Sequence, residues 1–362
     1  MHRMGNAGLM GSEQSGARPT IVISGSLAYD HIMTFPGSFE DHIIPGKVHV
    51  LSVSFLFDSL VRHRGGVAGN VAYSFALLGE RPALVGGGGS DFADYRVAFE
   101  ELGIDTTYVR ESNEVLTGSA FMTTDLAGNQ IAGFYPGASS LADDICVTEL
   151  AENAVLGIIG PTTREAMQRH AREIGNSPCR LVYDASQQVV SLSADELREG
   201  IGLAWGVVGS DYEMAVIENK TGLTVDDLVE TVPFVTVTRG VHGSVLYANG
   251  EKCEIPAAPA DPINDPTGGG DAYRAGLFKG LMLGLPLAVS GRLGSLAGTY
   301  AVEQHGTQQH HYTAEAFVER FDRTFPEYAG GLQVDWLRRP VDGATANAHL
   351  DAIVGMGAQI HG

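Results

Sequence analysis

The segment from Asp265 to Asp271 reads Asp-Pro-Thr-Gly-Gly-Gly-Asp, and a helical pattern of apolar residues follows it directly. Three consecutive glycines expose backbone N–H groups, and a helix N-terminus adds unpaired N–H groups and a partial positive charge. Such a site favours an anion, most often a phosphate. Asp271 would repel that phosphate, but it could accept the proton of a hydroxyl group that attacks it. The segment therefore predicts phosphoryl transfer to a hydroxyl group.

Four other loops combine glycines with polar side chains. Asp30 could accept hydrogen bonds from sugar hydroxyls, and Asn70, a mediocre helix former at a helix start, could present its amide to a ligand. Taken alone, each loop could equally be a turn or a helix cap. The four loops are Gly25-Ser26-Leu27-Ala28-Tyr29-Asp30, Arg64-Gly65-Gly66-Val67-Ala68-Gly69-Asn70, Asp184-Ala185-Ser186-Gln187-Gln188 and Thr238-Arg239-Gly240-Val241-His242-Gly243.

Short apolar runs alternate with amphipathic stretches around these loops. This alternation predicts an α/β fold, in which a mostly parallel central sheet has helices on both faces and binds ligands at the carboxyl ends of its strands. The predicted strands are Thr20–Gly25, Pro82–Gly86, Val155–Gly160, Leu181–Asp184, Gly206–Gly209 and Phe234–Thr238, with a hairpin of Gly243–Ala248 and Glu251–Ile255. The predicted helices are Val67–Leu78, one that Ser90 and Asp91 cap and that runs to Leu102, Thr163–Ile174, Ala194–Leu203, Tyr212–Thr221 and one that follows Asp271 and ends at Gly284.

Two inserts, at about 28–60 and 116–135, break this alternation. The second turns at Leu126-Ala127-Gly128-Asn129, which indicates a β-hairpin. We expect the inserts to form a small β lid over the ligand end of the sheet, with edge decoration as the alternative. The main domain should span residues 19–335, between a disordered tail at 1–18 and a peripheral tail at 340–362.

The chain of 362 residues carries a formal net charge of −20 and three widely spaced cysteines. Its length suits one large α/β domain. The negative charge argues against a nucleic-acid partner, and no apolar run is long enough to predict a membrane span. Cys146, Cys179 and Cys253 form neither a disulfide framework nor a CxxC metal pattern, which favours a cytoplasmic location.

In order and content, these loops resemble those of the ribokinase-like, or PfkB, family of small-molecule kinases. The resemblance runs from about Thr20 to Phe325, and its two signatures are Gly65–Asn70 and Asp265–Asp271. It implies that Asp271 is the general base and that the N–H groups of Gly268, Gly269 and Gly270 form an anion hole for the transferring phosphoryl group. It also implies an acceptor site made by Ser26, Asp30, Gly65, Gly66, Asn70, Gln187 and Gln188.

The same resemblance implies ATP as the phosphoryl donor, with Mg²⁺ to shield its charge. The family often has Asn-x-x-Glu near the magnesium ion and the phosphates. Here Ser210-Asp211-Tyr212-Glu213 matches it, with serine in place of asparagine and Glu213 acting on Mg²⁺ indirectly. Asp265 and Thr267 match positions that help to bind a monovalent cation such as K⁺ in some members. The implied ATP-site residues are Ser210, Thr238, Gly240, Gly243, Gly268 and Gly270.

Within the family the chain most resembles the bacterial, ribokinase-like adenosine kinases. This likeness implies transfer of the γ-phosphoryl group of ATP to the 5′-hydroxyl of adenosine, with Phe121 and Phe134 on either side of the purine. It also implies a homodimer through the lid, which would bring Ser54 to the partner subunit's site. Two alternatives remain open: a sugar kinase of the fructokinase or ribokinase type, and a ligand-binding member of the fold that has lost catalysis. The stretches that carry the likeness are Ser54–Leu56, His63–Asn70, Ser90–Arg96, Phe134–Ala138 and Ser186–Gln188.

Overall fold

The computed structural model describes residues 20–43 and 52–353. The predicted tail at 1–18, part of the first insert and the end of the predicted C-terminal tail therefore lie outside the described residues. The described strands are β1 (Ile21–Ser24), β2 (Ala28–Thr34), β3 (Ser59–Gly65), β4 (Ala83–Gly88), β5 (Val109–Glu111), β6 (Gly118–Thr124), β7 (Gln130–Tyr135), β8 (Leu156–Ile159), β9 (Arg180–Tyr183), β10 (Gly206–Ser210), β11 (Phe234–Thr238), β12 (Ser244–Ala248) and β13 (Glu251–Ile255).

The larger of two sheets has nine strands in the order β13-β12-β11-β10-β9-β8-β1-β4-β5. The strands from β11 to β5 in this order pair in parallel. The hairpin of β12 and β13 is antiparallel and closes one edge. The mostly parallel central sheet is thus confirmed. Its central strands, such as β1, β4, β8 and β10, are apolar because both of their faces are covered.

Helices cover both faces of this sheet. In β1, Ile21 and Ile23 pack in one core with Phe278, while Val22 packs in the other core with Met167. This alternation follows from the two-residue period of a strand. The helices are α1 (Val67–Leu77), α2 (Ala93–Glu101), α3 (Thr148–Asn153), α4 (Arg164–Gly175), α5 (Ala194–Leu203), α6 (Asp211–Thr221), α7 (Val225–Thr231), α8 (Gly269–Met282), α9 (Leu287–Val302), α10 (Ala314–Thr324) and α11 (Gly343–Ala352).

The smaller sheet, which we call the lid, has the strand order β3-β2-β6-β7 and comes from the two predicted inserts. Ala120 of β6 lies opposite both Asp30 of β2 and Phe134 of β7. Residues that lie opposite each other share a face, whereas neighbours along a strand point to opposite faces. Asp30, Ala120 and Phe134 therefore share one face, the inner face, and Phe121 points to the other, the outer face.

The chain after residue 340 packs more closely than the sequence predicts. Helix α11 contacts α8 and buries Ala346 and Leu350. Before α11, the chain is held by a fully buried ion pair between Glu80 and Lys279. Lys279 donates a hydrogen bond to the backbone oxygen of Arg339, and Glu80 accepts one from the backbone N–H of Val341. The prediction of a peripheral tail from residue 340 is therefore wrong for α11, because a few small and apolar side chains suffice for close packing.

None of the described helices has the length and apolar character needed to cross a lipid bilayer.

Candidate active site

Two cavities meet at the N-terminus of α8. A cavity of about 720 Å³, the lid cavity, lies between the inner face of the lid and the carboxyl ends of the central strands. A second cavity of about 400 Å³, the α9 cavity, lies against α9. Gly268 and Asp271 line the lid cavity, and Gly269 and Gly270 line the α9 cavity. One turn of backbone thus forms a wall that both cavities share.

The lid cavity collects most of the predicted acceptor residues. Gly65, the last residue of β3, is not part of the cavity lining, but its lack of a side chain makes room for Asp30: a Cβ atom there would lie 2.2 Å from Oδ2 of Asp30. The hydroxyl of Ser26 accepts a hydrogen bond from the backbone N–H of Val67 at 3.0 Å and so caps the start of α1. The predicted acceptor residues that line the cavity are Ser26, Asp30, Gly66, Asn70, Phe134, Gln187 and Gln188.

Two predicted acceptor residues lie elsewhere. Phe121 is on the outer face of the lid, where its ring stacks on His31 with the centroids 4.7 Å apart. Ser54 is exposed in the segment that precedes β3 and lies outside the cavity lining of its own subunit. The predicted arrangement of Phe121 and Phe134 on either side of one purine is not present within this chain, because the strand register directs the two rings to opposite faces of the lid.

Asp271 is almost fully buried, and polar groups hold both of its carboxylate oxygens. Nδ2 of Asn70 donates a hydrogen bond to Oδ2 at 2.9 Å, and Nη1 of Arg274 lies 3.6 Å from Oδ1. Burial raises the pKa of Asp271, while Arg274 and Asn70 oppose this change. A carboxylate with a raised pKa accepts a proton more readily than a solvated one, as a general base must.

A chain of hydrogen bonds fixes the amide of Asn70. Nε2 of Gln308 lies 3.0 Å from Oδ1 of Asn70 and 3.0 Å from Oη of Tyr95. The Tyr95 hydroxyl donates to the backbone oxygen of Gly65 at 2.8 Å. Sequence reasoning missed Gln308 and Tyr95, since nothing in the local pattern connects them with Asn70.

Sequence reasoning also missed a buried ion pair beside Asp271. Nε and Nη2 of Arg274 contact the two carboxylate oxygens of Asp184, at 2.6 and 2.9 Å. Burial raises the pKa of Asp184 against the attraction of Arg274. The spacing of three residues between Asp271 and Arg274 on one helix was a signal that could have indicated their proximity.

Asp30 lies on the inner face of the lid among other carboxylates. Burial, with repulsion from Asp265 and Asp271, raises the pKa of Asp30 to about 6. An ionised Asp30 can accept hydrogen bonds from two hydroxyl groups, which suits recognition of a sugar.

The α9 cavity is lined by four of the predicted ATP-site residues, Thr238, Gly240, Gly243 and Gly270, whereas Gly268 lines the lid cavity. Ser210 instead lies at the start of α6, outside the cavity linings. Its hydroxyl accepts a hydrogen bond from the backbone N–H of Glu213 at 3.2 Å, and Oε2 of Glu213 accepts one from the backbone N–H of Ser210 at 2.6 Å. These two residues thus form a capping box.

Asp265, which is predicted to help bind a monovalent cation, holds backbone groups. The two carboxylate oxygens of Asp265 accept hydrogen bonds from the N–H groups of Thr267 at 2.9 Å and Gly306 at 3.2 Å, which shapes the loop before α8. Within residues 20–43 and 52–353, no group of three or more His, Cys, Asp or Glu side chains is arranged to hold a metal ion.

Comparison with known proteins agrees with this arrangement. The pfkB family carbohydrate kinase model matches residues 27–313. A nucleoside kinase from Methanothermobacter thermautotrophicus is 31% identical over 261 residues, which cover 71% of this chain and 84% of that protein.

Solved structures extend the comparison. A nucleoside kinase from Burkholderia thailandensis in complex with inosine is 35% identical and has a TM-score of 0.77, covering 84% of this chain and 98% of that one. A ribokinase from Thermotoga maritima, 20% identical with a TM-score of 0.70, shares the fold over 84% of this chain and 99% of that one. The family resemblance of the loops is confirmed: the chain belongs to the pfkB family of carbohydrate kinases and has its ribokinase-like α/β fold.

Proposed function

We propose that this protein is an ATP-dependent nucleoside kinase that phosphorylates the 5′-hydroxyl of adenosine. The observation that carries the proposal is the shared wall at the N-terminus of α8. An acceptor hydroxyl in the lid cavity would stand beside Asp271, and a phosphoryl group entering from the α9 cavity would meet the N–H groups of Gly268, Gly269 and Gly270. Acceptor, base and anion hole would then come together at one turn of helix.

The reaction would proceed as a displacement at the γ-phosphorus of ATP. The 5′-oxygen forms a bond to phosphorus, its proton passes to Asp271, and the bond from phosphorus to the β,γ-bridging oxygen breaks to release ADP. The helix N-terminus stabilises the negative charge of the transferring group. Asp30 and Asn70 line the lid cavity. Asp30 would accept hydrogen bonds from the ribose hydroxyls and the Asn70 amide would donate one, so that together they orient the acceptor.

For the donor, Thr238, Gly240 and Gly243 are proposed to contact ATP in the α9 cavity. Bound Mg²⁺ would neutralise the phosphate charge, with Glu213 holding one of its water ligands. Asp265 keeps lone pairs beyond its two backbone hydrogen bonds, which supports a further proposal that K⁺ binds there together with Thr267. Stimulation of turnover by K⁺ but not by Na⁺ would test this point.

The lid cavity also suits a purine base. The ring of Phe134 faces the cavity and is 58% exposed, so it is free to stack on a base. The amide of Gln188 is engaged, because it donates to the backbone oxygen of Thr162 at 2.5 Å and accepts from Ser191. Gln187 is exposed at the cavity and could present both a donor and an acceptor to the purine edge. This pair of groups suits adenosine and would also admit inosine.

The outer face of the lid supports the proposed homodimer. Phe121, Ile131 and Tyr135 are each more than two-fifths exposed there, and Leu60 is 65% exposed. Apolar side chains grouped in this way are typical of a protein interface. A second copy on this face would bring Ser54 towards the neighbouring lid cavity.

The three cysteines are free, which supports the proposed cytoplasmic location.

An assay of ADP release tests the function directly. The protein with Mg²⁺-ATP is given adenosine, inosine, guanosine, ribose and fructose in turn, and kcat/KM is compared between them. We expect adenosine to give the largest value, with inosine next. Preference for ribose or fructose would identify a sugar kinase instead, and no ADP release with any acceptor would favour a ligand-binding protein.

A further inference from the structure

Arg274 is held in one orientation beside the proposed general base. Its Nε and Nη2 groups contact the two oxygens of Asp184, which is itself fully buried. Nη2 donates a hydrogen bond to Oδ1, and the close contact of Nε with Oδ2 gives the ion pair a second point, which limits rotation of the guanidinium. Only 6% of Arg274 is exposed, so the surrounding packing restricts it further. Nη1, the third nitrogen, is left free of Asp184.

That third nitrogen faces the turn shared by the two cavities. Nη1 lies 3.6 Å from Oδ1 of Asp271 and 2.9 Å from the position that a Cβ atom on Gly270 would occupy. The geometry follows from the helix, because long side chains lean towards the N-terminus and cover the preceding turn. A fixed positive charge therefore lies beside the base and beside the proposed anion hole at once.

Other positive side chains are scarce at this place, whereas carboxylates are not. The described residues that line the lid cavity and the α9 cavity include no lysine or arginine. Asp184, Glu213 and Asp271 interact electrostatically with one another and with Arg274. Without Arg274, the buried carboxylates of Asp184 and Asp271 and the half-buried carboxylate of Glu213 would repel each other, and burial would favour protonation of Asp184 or Asp271.

We propose that Arg274 is a positioning residue of phosphoryl transfer: Nη1 keeps Asp271 ionised and directs its lone pair to the acceptor, and Asp184 sets the strength of this effect. The inference rests on the proposed function. It requires that the loss of Arg274 and the loss of Asp184 change the pKa of Asp271 in opposite directions. Arg274→Met removes the cation from Asp271, whereas Asp184→Asn frees the cation to act on Asp271 alone. A purely structural ion pair would lose stability in either variant, with no opposition between them.

The test measures the titration of Asp271 without substrate. The full-length protein is labelled with ¹³C at the aspartate carboxyl carbon, and the signal that Asp271→Asn removes is followed by NMR across pH. The charged groups around it are Asp30 on the lid, Asp184 after β9, Glu213 on α6 and Arg274 on α8. We expect the midpoint to rise in Arg274→Met, to fall in Asp184→Asn, and to change less in Arg274→Lys, which keeps the charge.

Turnover gives the second measurement. Arg274→Met should lower kcat about 10²-fold while the Kd for the nucleoside, measured by calorimetry, stays within about three-fold. Arg274→Lys should recover part of that loss. Arg292→Met is the matched control, since Arg292 is also buried but lies on α9 against Tyr328 and Glu327, and it should change neither measurement.

Midpoints that move in the same direction in Arg274→Met and Asp184→Asn would overturn the inference, and so would an unchanged kcat in Arg274→Met. If Asp184→Asn does not fold, an unchanged midpoint in both Arg274→Met and Arg274→Lys overturns it equally. A wild-type protein that transfers phosphoryl groups to no acceptor would overturn the proposed function alone, because the NMR titration requires no acceptor.

Discussion

Nδ2 of Asn70 lies 2.9 Å from Oδ2 of Asp271, so a hydrogen bond joins the two signature segments of the chain across 201 positions. The bond brings the first turn of α1 against the first turn of α8. Because Gln308 donates to Oδ1 of Asn70, the amide cannot reverse without losing both bonds. Asn70 thus has two roles: it lines the lid cavity, and its amide holds one carboxylate oxygen of the proposed base.

Replacement of the base is the first prediction. Asp271→Asn should lower kcat by about 10²-fold or more, since the side chain can no longer take the proton of the acceptor hydroxyl. The fold should persist, because an amide is nearly the same shape and avoids burial of a charge. ADP release gives kcat, and calorimetry with adenosine gives binding. Near-normal turnover in a folded variant would exclude Asp271 as the base.

Loss of the support for Asn70 is the second prediction. Gln308→Met removes the donor that orients the Asn70 amide, so we expect kcat to fall about ten-fold with a smaller change in KM. Gln168→Met is the matched control, because Gln168 is buried on α4 and donates to the backbone of Glu196, away from the cavities. Equal effects of the two substitutions on kcat would mean that the chain of hydrogen bonds only stabilises the fold.

The two lid phenylalanines should differ in their effect on nucleoside binding. Phe134→Ala removes a ring that faces the lid cavity and should raise the KM for adenosine about ten-fold or more, whereas ribose would be unaffected. At protein concentrations that keep the proposed dimer formed, Phe121→Ala alters only the outer face and should leave KM within about three-fold. Light scattering should show a weaker dimer for Phe121→Ala. A larger KM change for Phe121→Ala than for Phe134→Ala would contradict the faces assigned to the two rings.

Acceptor binding and stability should both depend on the ionisation of Asp30. Because the folded-state pKa of Asp30, about 6, lies above the ordinary value of 3.8, folding favours the protonated carboxyl. Its contribution to stability is present at low pH and is lost as the pH rises through about 6. Ionisation has the opposite effect on binding, since a carboxylate is the stronger acceptor for ribose hydroxyls.

The substitution Asp30→Asn separates these two effects. At pH 7.5 it should raise the free energy of unfolding by about 1–3 kcal/mol, as judged by chemical denaturation. We also expect weaker nucleoside binding, without the loss of affinity between pH 7 and pH 5 that the raised pKa of Asp30 predicts for the wild type. If Asp30→Asn is less stable than the wild type at pH 7.5, burial of the ionised Asp30 carboxylate does not destabilise the folded protein, contrary to the prediction.

The serine at position 210 offers a test of the family pattern. Asparagine caps a helix as well as serine does, so Ser210→Asn should keep the free energy of unfolding within about 0.5 kcal/mol. The longer amide would reach further towards the phosphates, and we expect the Mg²⁺ concentration that gives half-maximal activity to fall. Ser193→Asn is the matched control, because Ser193 forms the same capping box with Glu196 on α5. An equal change in the Mg²⁺ requirement for both variants would remove any special role from position 210.

The sequence predicts a helix or strand accurately where the apolar spacing and the end signals lie within the element itself. Helix α5 and strand β11 have the predicted bounds, Ala194–Leu203 and Phe234–Thr238, because their apolar spacing and flanking residues lie within a few positions. Helices α9 and α10 were not predicted, since they follow α8 without the alternating strands that guided the assignment. Alanines and a single leucine carry a weak hydrophobic signal, so the sequence of α11 predicts a peripheral tail, although the helix packs against α8 and buries Ala346 and Leu350.

The sequence by itself determined the class of reaction, since Gly65–Asn70 and Asp265–Asp271 are short segments whose backbone geometry follows from their own residues. It also determined the α/β architecture, because the periods of strands and helices are local. Only the tertiary structure decided which groups surround Asp271 and which lid phenylalanine faces the cavity. Asp184 and Gln308 reach the site from distant parts of the chain. The face of the lid on which Phe134 lies depends on strand register. The surroundings of Asp271 and the orientation of Phe134 therefore follow from the packing of the whole fold.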